Sequence, residues 1–325
     1  MDLTAGVLAR NTRAVARAIS LVENRDPHAQ ALIDGLYPHG GRATIIGITG
    51  SPGSGKSTLT DRLIARERSA GRTVAVIAVD PSSPFTGGAI LGDRLRMQDH
   101  ATDPGVFIRS MASRGSLGGL AVAAGDAVRV LDAAGYDTLL IETIGVGQTE
   151  VDVVELADLV LLVLMPGAGD EIQALKAGVM EIGDFYVINK DDLPGADKLC
   201  RDVEYVLSLS NASVGRKVGR VLTTGALRNT GIDELCVAIR DRTAEDRADG
   251  SLDARRRRRI QRQLEAILRT RIHEVMDTHL EFSRQLAGWV DRIERNETGP
   301  YALIDQQIEL LLSNRFVPER SKEEQ

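Results

Sequence analysis

Cysteine, aromatic residues and long apolar runs are all scarce in this sequence. The two cysteines, Cys200 and Cys236, are too few for a disulfide framework, and this scarcity is typical of a reducing compartment. Because only 3% of the residues are aromatic, the core must be largely aliphatic. The longest apolar run, Leu159 to Pro166, is far shorter than the roughly 20 residues that span a bilayer, and the N-terminus lacks a signal-peptide pattern. We therefore expect a cytoplasmic protein with no membrane partner.

Lysine is also scarce, and arginine supplies most of the positive charge. Six of the 40 basic residues are lysines, so a motif that requires lysine is informative when it occurs. The net charge of -6 argues against a general nucleic-acid binder. The local exception is the basic run Arg255 to Arg259, which continues to Arg262, Arg269 and Arg271. Because no aromatic residues are interleaved with it, we interpret this run as a solvated or interfacial helix face and expect no nucleic-acid partner.

The hydrophobic pattern divides the chain into three parts, residues 1–40, 41–250 and 251–325. The first part has apolar residues at helical spacing. In the second, near-continuous Val/Ile/Leu runs alternate with helical segments, as in a parallel sheet that helices cover on both faces. The third part contains helical stretches and no convincing strand. The sequence thus predicts a doubly wound, mostly parallel α/β domain with a helical N-terminal extension and a helical C-terminal tail.

A phosphate-binding loop follows the first predicted strand of the second part. The segment from Gly50 to Ser57 fits the pattern G-x-x-x-x-G-K-[ST], between a buried strand and a helix. Its glycines let backbone N–H groups surround a phosphate, and the helix N-terminus favours negative charge. Lys56 is predicted to reach the β and γ phosphates, and the Ser57 hydroxyl to bind Mg²⁺. The predicted nucleotide-binding residues here are Gly50, Ser51, Pro52, Gly53, Ser54, Gly55, Lys56, Ser57 and Thr58.

Two later segments indicate that the base is guanine. Asn189, Lys190 and Asp192 form an N-K-x-D pattern after another predicted strand. A carboxylate such as Asp192 can accept two hydrogen bonds from guanine, whereas adenine offers no such pair of donors and would leave the carboxylate unpaired. The Lys190 stem is expected to lie across the ring. One strand–helix unit later, a loop with a backbone N–H for the guanine oxygen is predicted at Thr224, Gly225 and Ala226.

Acidic residues fall where ligands bind in open α/β sheets, beyond the carboxyl ends of the strands. Asp80 and Glu142 each end a predicted strand, and Asp93 lies in a glycine-bounded loop. Such carboxylates suit contact with Mg²⁺ and orientation of the attacking water. We expect the Gly145 N–H to meet the γ-phosphate and Gln148 to orient water. The predicted metal-binding residues are therefore Ser57, Asp80, Asp93 and Glu142, and the predicted catalytic residues are Lys56, Asp80, Asp93, Glu142, Gly145 and Gln148.

Longer segments carry a family resemblance. With GSPGSGKST, AVDPSSPFTGGAILGDRLRM, ETIGVGQTE, MPGAGDEIQALKAG and NKDD, the chain resembles the MeaB/ArgK (MMAA-like) group of P-loop GTPases over nearly its whole length. The resemblance implies a homodimeric GTPase that uses GTP and Mg²⁺, hydrolyses GTP slowly alone and is stimulated by a partner. It also implies that the helical tail makes the dimer.

The implied partner is an adenosylcobalamin-dependent acyl-CoA mutase of the methylmalonyl-CoA mutase type. By the resemblance, the chain acts as a chaperone that gates cofactor loading and protects the mutase from inactivation. It further implies that residues around 165–176 form an extra switch that contacts the mutase. The expected contact residues there are Asp170, Glu171, Gln173 and Lys176.

Two other functions remain open at the level of sequence. A GTPase metallochaperone would share a similar sheet, but such proteins usually carry Cys-x-Cys motifs or histidine-rich tracts, and here the histidines and cysteines are scattered. A kinase for a periplasmic amino-acid transport protein is an older label of the same family. That function requires an acceptor-site base, which the sequence does not identify.

Overall fold

The computed structural model describes residues 2–80, 100, 102–112, 119–143, 155–167, 183–210, 217, 219–280 and 282–314. The chain forms two compact units, which comprise residues 1–261 and 262–325. In the part of the chain that is described, no helix is both long and apolar enough to cross a membrane.

The first unit begins with short helices and continues as alternating strands and helices. The opening helices are α1 (Leu3–Leu8), α2 (Thr12–Glu23) and α3 (Ala29–Leu36), followed by a 3₁₀ turn (Tyr37–His39). The strands are β1 (Thr44–Gly50), β2 (Val74–Asp80), β3 (Val106–Ala112), β4 (Thr138–Thr143), β5 (Leu159–Leu164), β6 (Phe185–Asn189) and β7 (Arg220–Thr224). The helices among and after them are α4 (Lys56–Ser69), α5 (Gly119–Ala133), α6 (Ala196–Ser210) and α7 (Ile232–Ala248).

The remaining helices are α8 (Ser251–Leu280), α9 (Phe282–Glu294) and α10 (Pro300–Asn314). The first unit therefore contains the start of α8, and the second unit contains the rest of it with α9 and α10. Trp289 and Leu303 are buried. The prediction of a helical tail is confirmed for the described residues.

The strands form one sheet in the order β3-β2-β4-β1-β5-β6-β7, and every neighbouring pair is parallel. This confirms the predicted doubly wound α/β fold, and the pairing is entirely parallel among the described strands. The chain moves outward from β1 in one direction to β3, then returns through β4 and continues through β5 in the other. This reversal beside β1 creates a crevice at the carboxyl ends of β1, β4 and β5, where ligands bind in such sheets.

Helices cover both faces of the sheet, and side chains alternate between them along each strand. In β5, Leu161 and Val163 join the apolar cluster under α4 and α7, whereas Leu162 and Leu164 pack against α6. The helices α1, α2 and α3 pack with α5 over strand residues such as Ile45, in a further continuous apolar cluster. The N-terminal helices thus share the core of the sheet.

The basic run at the start of α8 binds the amino edge of the sheet. Asp158, which precedes β5, is 1% exposed and accepts hydrogen bonds from Arg256 at 2.7 Å and Arg259 at 3.1 Å. Arg256 also donates to the carbonyls of Gly41 and Ala43. The expectation of a solvated or interfacial face is wrong for these arginines, because buried carboxylates distant in sequence neutralise them.

A second group of charges extends this arrangement along the same edge. Arg255 donates to Asp184 at 3.2 Å and to Asp246 at 2.6 Å, and Asp246 also accepts from Arg242 and Lys217. Burial alone raises the pKa of Asp246, but the Lys217 hydrogen bond and the neighbouring arginines outweigh it and lower that pKa below its ordinary value. The aspartate–arginine network of the amino edge comprises Asp158, Asp184, Asp246, Lys217, Arg242, Arg255, Arg256 and Arg259.

Candidate nucleotide site

The phosphate loop joins β1 to α4 at the carboxyl edge of the sheet. Gly50 has a φ of 140°, and a Cβ there would stand 2.1 Å from the Val163 carbonyl oxygen, so only glycine fits. Lys56 begins α4 and is buried, and its Nζ donates to the carbonyls of Gly50 at 2.7 Å and Ser51 at 3.0 Å. The loop therefore curls around the lysine ammonium, which holds this positive charge beside the predicted phosphate site.

Ser57 and Glu142 come together beside this loop. The Ser57 hydroxyl donates to Glu142 Oε1 at 2.5 Å, and both side chains are buried. Glu142 lies near the end of β4, which pairs directly with β1. Hydroxyl and carboxylate oxygens are ligands that Mg²⁺ accepts, and it commonly takes only one or two protein groups together with water and phosphate oxygens. This donor set fits the predicted magnesium ion, which would neutralise charge on the phosphates when bound.

Asn189 connects the phosphate loop to the guanine loop. Its Nδ2 donates to the Ser54 carbonyl at 2.8 Å, and its Oδ1 accepts from the Thr224 hydroxyl at 3.2 Å and the Ala226 N–H at 3.1 Å. Asn189 is 2% exposed, so these bonds replace the water that its amide loses on folding. A Cβ at Gly55 would stand 2.3 Å from Asn189 Nδ2, which explains the glycine. The sequence predicts Asn189 as a nucleotide residue, and the structure places its amide as the link between the two loops.

The two carboxylates after Lys190 have different surroundings. Asp191 accepts from Arg228 at 2.5 Å and from the Thr230 hydroxyl at 3.2 Å. Asp192 has a half-exposed side chain whose Oδ1 lies 3.8 Å from Arg228. Asp191 thus stabilises the loop, whereas Asp192 can accept hydrogen bonds from a base edge.

Lys190 and Gly225 complete the predicted base site. Lys190 has a φ of 59°, and its Nζ contacts the Met165 sulfur at 3.4 Å, so its stem runs across the site toward the end of β5. A Cβ at Gly225 would stand 2.4 Å from Asp191 Oδ1, so a side chain at this position would collide with that carboxylate. The structure therefore brings together the phosphate loop, Ser57, Glu142, the N-K-x-D segment and the loop at Thr224 to Ala226.

Several predicted site residues lie outside the described part of the chain. Asp80 ends β2 at the same edge of the sheet, but its side chain lies outside the described part of the chain. The other predicted residues that lie outside are Asp93, Gly145, Gln148, Asp170, Glu171, Gln173 and Lys176.

Further residues of the site were not predicted from the sequence. Arg62 on α4 donates to the Ala226 carbonyl at 3.0 Å, and the Thr143 hydroxyl donates to that of Thr49 at 3.1 Å between β4 and β1. Ser54, by contrast, is among the predicted nucleotide-binding residues; it is fully buried, and its hydroxyl has no hydrogen-bond partner among the described residues. The signal in the sequence is the polar character of Thr49 and Thr143 within largely apolar strands.

The described residues do not contain a site of the kind a metallochaperone needs. No three His, Cys, Asp or Glu side chains gather there as metal ligands would. Burial raises the pKa of the Cys236 thiol to about 11, so this cysteine stays protonated at neutral pH and binds metals poorly.

Comparison with known proteins agrees with this geometry. The family model described as methylmalonyl-CoA mutase-associated GTPase MeaB matches residues 15–281. The chain is 38% identical over 316 residues to the GTPase ArgK of Escherichia coli, covering 93% of each chain. It is 48% identical over 296 residues to a protein of Pyrococcus abyssi, covering 90% of this chain and 91% of the other.

A solved structure extends the match to three dimensions. The crystal structure of an LAO/AO transport system kinase aligns with a TM-score of 0.71 at 29% identity, covering 96% of this chain and 97% of the other. The phosphate loop, the guanine-type loops and the parallel sheet are thus those of a P-loop GTPase. The chain belongs to the MeaB family, the methylmalonyl-CoA mutase-associated GTPases.

Proposed function

We propose that this GTPase is a chaperone of an adenosylcobalamin-dependent acyl-CoA mutase of the methylmalonyl-CoA mutase type. In this role it gates loading of the cobalamin cofactor and protects the mutase from inactivation. The observation that carries the proposal is the match with a mutase-associated family over residues 15–281, which includes both nucleotide-binding segments. A location in the cytoplasm stays a prediction.

In this proposal, the change from bound GTP to bound GDP controls when the chain acts on the mutase. GTP occupies the carboxyl edge with Mg²⁺, for which Ser57 and Glu142 are the described ligand candidates, 2.5 Å apart. Lys56 stabilises charge on the phosphates. A conformational signal requires contacts that differ between the GTP and GDP states. Lys190 contacts Met165, so the base site adjoins the start of the proposed switch at 165–176.

The mutase itself is the most informative reagent. GTP turnover is measured alone and with purified mutases of the methylmalonyl-CoA and isobutyryl-CoA types, each with and without cobalamin. We expect slow turnover alone and stimulation by one mutase that depends on cobalamin. Equal turnover with every addition would contradict the chaperone role while leaving the GTPase itself intact.

The double substitution Gln173→Ala and Lys176→Ala tests the switch within that assay. Nucleotide affinity and intrinsic turnover are expected to stay near wild type, and stimulation by the mutase is expected to disappear, because coupling needs contacts with the partner. Lys198→Ala, an exposed lysine on α6, is the matched control. Full stimulation in the double variant would remove this loop from the mechanism.

The kinase function is the second candidate, and the name of the aligned LAO/AO transport system kinase favours it. The same reaction with γ-labelled GTP separates the two functions. Release of inorganic phosphate alone fits the chaperone. Transfer of the label to a protein acceptor, in an amount that increases with GTP turnover, fits the kinase.

We also propose a homodimer formed through α8, α9 and α10. These helices leave apolar side chains exposed, among them Leu264 at 62% and Leu268 at 59%, and such surface is typical of an interface. Leu264→Glu with Leu268→Glu is expected to give monomers by light scattering of the full chain. The control is Tyr205→Glu with Leu209→Glu, an equally exposed pair on α6. Dimers that persist in both variants would place the interface elsewhere.

A further inference from the structure

A second cavity lies at the amino edge of the sheet, opposite the nucleotide. Its volume is about 600 Å³, within the range of small-molecule sites. Thr44 and Thr138, the first residues of β1 and β4, contribute to its wall, together with residues of α7 such as Ile239. Because β1 spans Thr44–Gly50, it separates this cavity from the phosphate loop by about 20 Å.

The cavity is lined mainly by positive charge. Five arginines line it, against two carboxylates, Glu67 and Asp137. Both carboxylates are already bound within the fold: Glu67 accepts from the Thr138 hydroxyl at 2.6 Å, and Asp137 accepts from the Thr73 N–H and hydroxyl, each at 2.8 Å. The lining arginines are Arg10, Arg42, Arg72, Arg240 and Arg247.

Among the described residues, Arg72 is the one lining arginine with an ion pair, to Glu67, and Arg10 binds backbone carbonyls instead. The other three arginines have neither kind of partner there. Arg42 precedes β1, and Arg240 and Arg247 lie two turns apart on one face of α7. No carboxylate among the described residues is within ion-pair distance of their guanidinium groups. The aspartate–arginine network at the same edge of the sheet pairs its arginines with aspartates. The three arginines of the cavity therefore differ from their neighbours in having no carboxylate partner among the described residues. Three like charges around a cavity repel one another unless an anion joins them.

Arg10 is held rigidly at the same cavity. Its Nε donates to the Ala134 carbonyl at 3.1 Å, its Nη2 donates to the Gly135 carbonyl, and its guanidinium lies 5.1 Å from the centre of the Tyr136 ring. A Cβ at Gly135 would stand 3.2 Å from Arg10 Nη2, so the close approach favours glycine. A fixed cation beside three unpaired ones loses little side-chain entropy when it binds an anion.

We propose that this cavity binds a small polyanion bearing phosphate or carboxylate groups, at a site separate from the nucleotide. Guanidinium groups bind both kinds of group in a bidentate manner, so the shared chemistry is several negative charges on one compact molecule. The apolar wall of Ile46, Tyr136 and Ile239 accommodates a carbon skeleton between them.

Calorimetry on the full chain saturated with GDP tests this site. Pyrophosphate and citrate are titrated separately, with Mg²⁺ in excess throughout, so that the two titrations distinguish phosphate from carboxylate ligands. We expect one-site binding of at least one of them. Arg240→Glu with Arg247→Glu is expected to weaken it by about 100-fold, roughly ten-fold for each charge-assisted contact.

The matched control is Arg257→Glu with Arg258→Glu, two exposed arginines in α8 outside the cavity. These substitutions change the net charge equally and should alter the affinity by no more than about two-fold, because Arg257 and Arg258 do not line the cavity and salt screens their charge from an anion bound there. The GDP affinity of every variant verifies that it is folded, and Arg240→Gln with Arg247→Gln replaces the reversed pair if that pair fails this check. Absence of binding to the wild type, or equal loss in the control pair, would overturn the proposal, as would displacement of the anion by further GDP.

Discussion

The two edges of the sheet use buried polar groups in opposite ways. At the amino edge, Asp158 and its neighbours are bound by arginine side chains. At the carboxyl edge, Asn189 and Lys56 bind backbone carbonyls and N–H groups of the loops, which shapes a site between them. The charges of the amino edge neutralise one another and hold the fold together, whereas the polar groups of the carboxyl edge hold the two loops in the arrangement that a nucleotide would bind. Substitutions at the two edges should therefore affect different properties.

The largest expected effect is on stability, at the amino edge. Asp158→Ala leaves Arg256 and Arg259 without their carboxylate in a buried setting, and breaking such a pair costs about 3–5 kcal/mol. Chemical denaturation of the variant measures this loss. The control is Asp233→Ala, which removes a roughly half-exposed pair with Arg66 and should cost at most about 1 kcal/mol. Similar losses in both variants would contradict the assignment of the network to the fold.

The next effect is on catalysis, at the carboxyl edge. Lys56→Ala removes the ammonium at the phosphate loop and should slow single-turnover GTP hydrolysis by about 10²-fold or more. The unfolding free energy should change far less than in Asp158→Ala. Lys198→Ala serves as the exposed control. Turnover near the wild-type rate in Lys56→Ala would mean that the loop does not hold the phosphates.

Asn189 should contribute to both stability and nucleotide binding, so its substitution tests the two properties together. Asn189→Ala removes the bonds to Ser54, Thr224 and Ala226 and leaves buried backbone groups unsatisfied, at a cost of about 1–3 kcal/mol. Because the phosphate and guanine loops then separate, GDP affinity should fall as well. A variant that loses stability but keeps the GDP affinity of the wild type would make Asn189 a purely structural residue.

The smallest effect is the dependence of the network on pH. The pKa of Asp246 is lowered in the folded chain, so its contribution to stability is complete above the ordinary carboxyl pKa of about 4. That contribution is lost as the pH falls through the lower folded pKa. The stability difference between the wild type and Asp246→Asn should therefore be constant from about pH 5 to 8 and shrink below about pH 4. A difference that grows in acid would contradict the sign of this shift.

The sequence predicts what is contiguous in the chain. The phosphate loop and the N-K-x-D segment each place their key residues within a few positions, after strands whose apolar runs are easily recognised. The amino-edge network could not be predicted in this way, because Arg256 lies 98 positions from Asp158. The N-K-x-D pattern assigns Asp192 to the base, but it could not predict the role of Asp191, since Arg228 and Thr230 reach Asp191 from another loop. The sequence predicts the N-terminal helices as a separate extension, because their partners in the apolar cluster lie beyond residue 40.

Nucleotide preference of Asp192→Asn tests the carboxyl-edge site most directly. The wild type should hydrolyse GTP and discriminate against xanthosine triphosphate, because the Asp192 carboxylate accepts hydrogen bonds from guanine. An asparagine amide offers a donor to the xanthine oxygen instead. The variant should lose GTP hydrolysis and gain hydrolysis of xanthosine triphosphate, and Asp191→Asn should not change this preference. Equal affinity for GTP in wild type and Asp192→Asn would contradict the account.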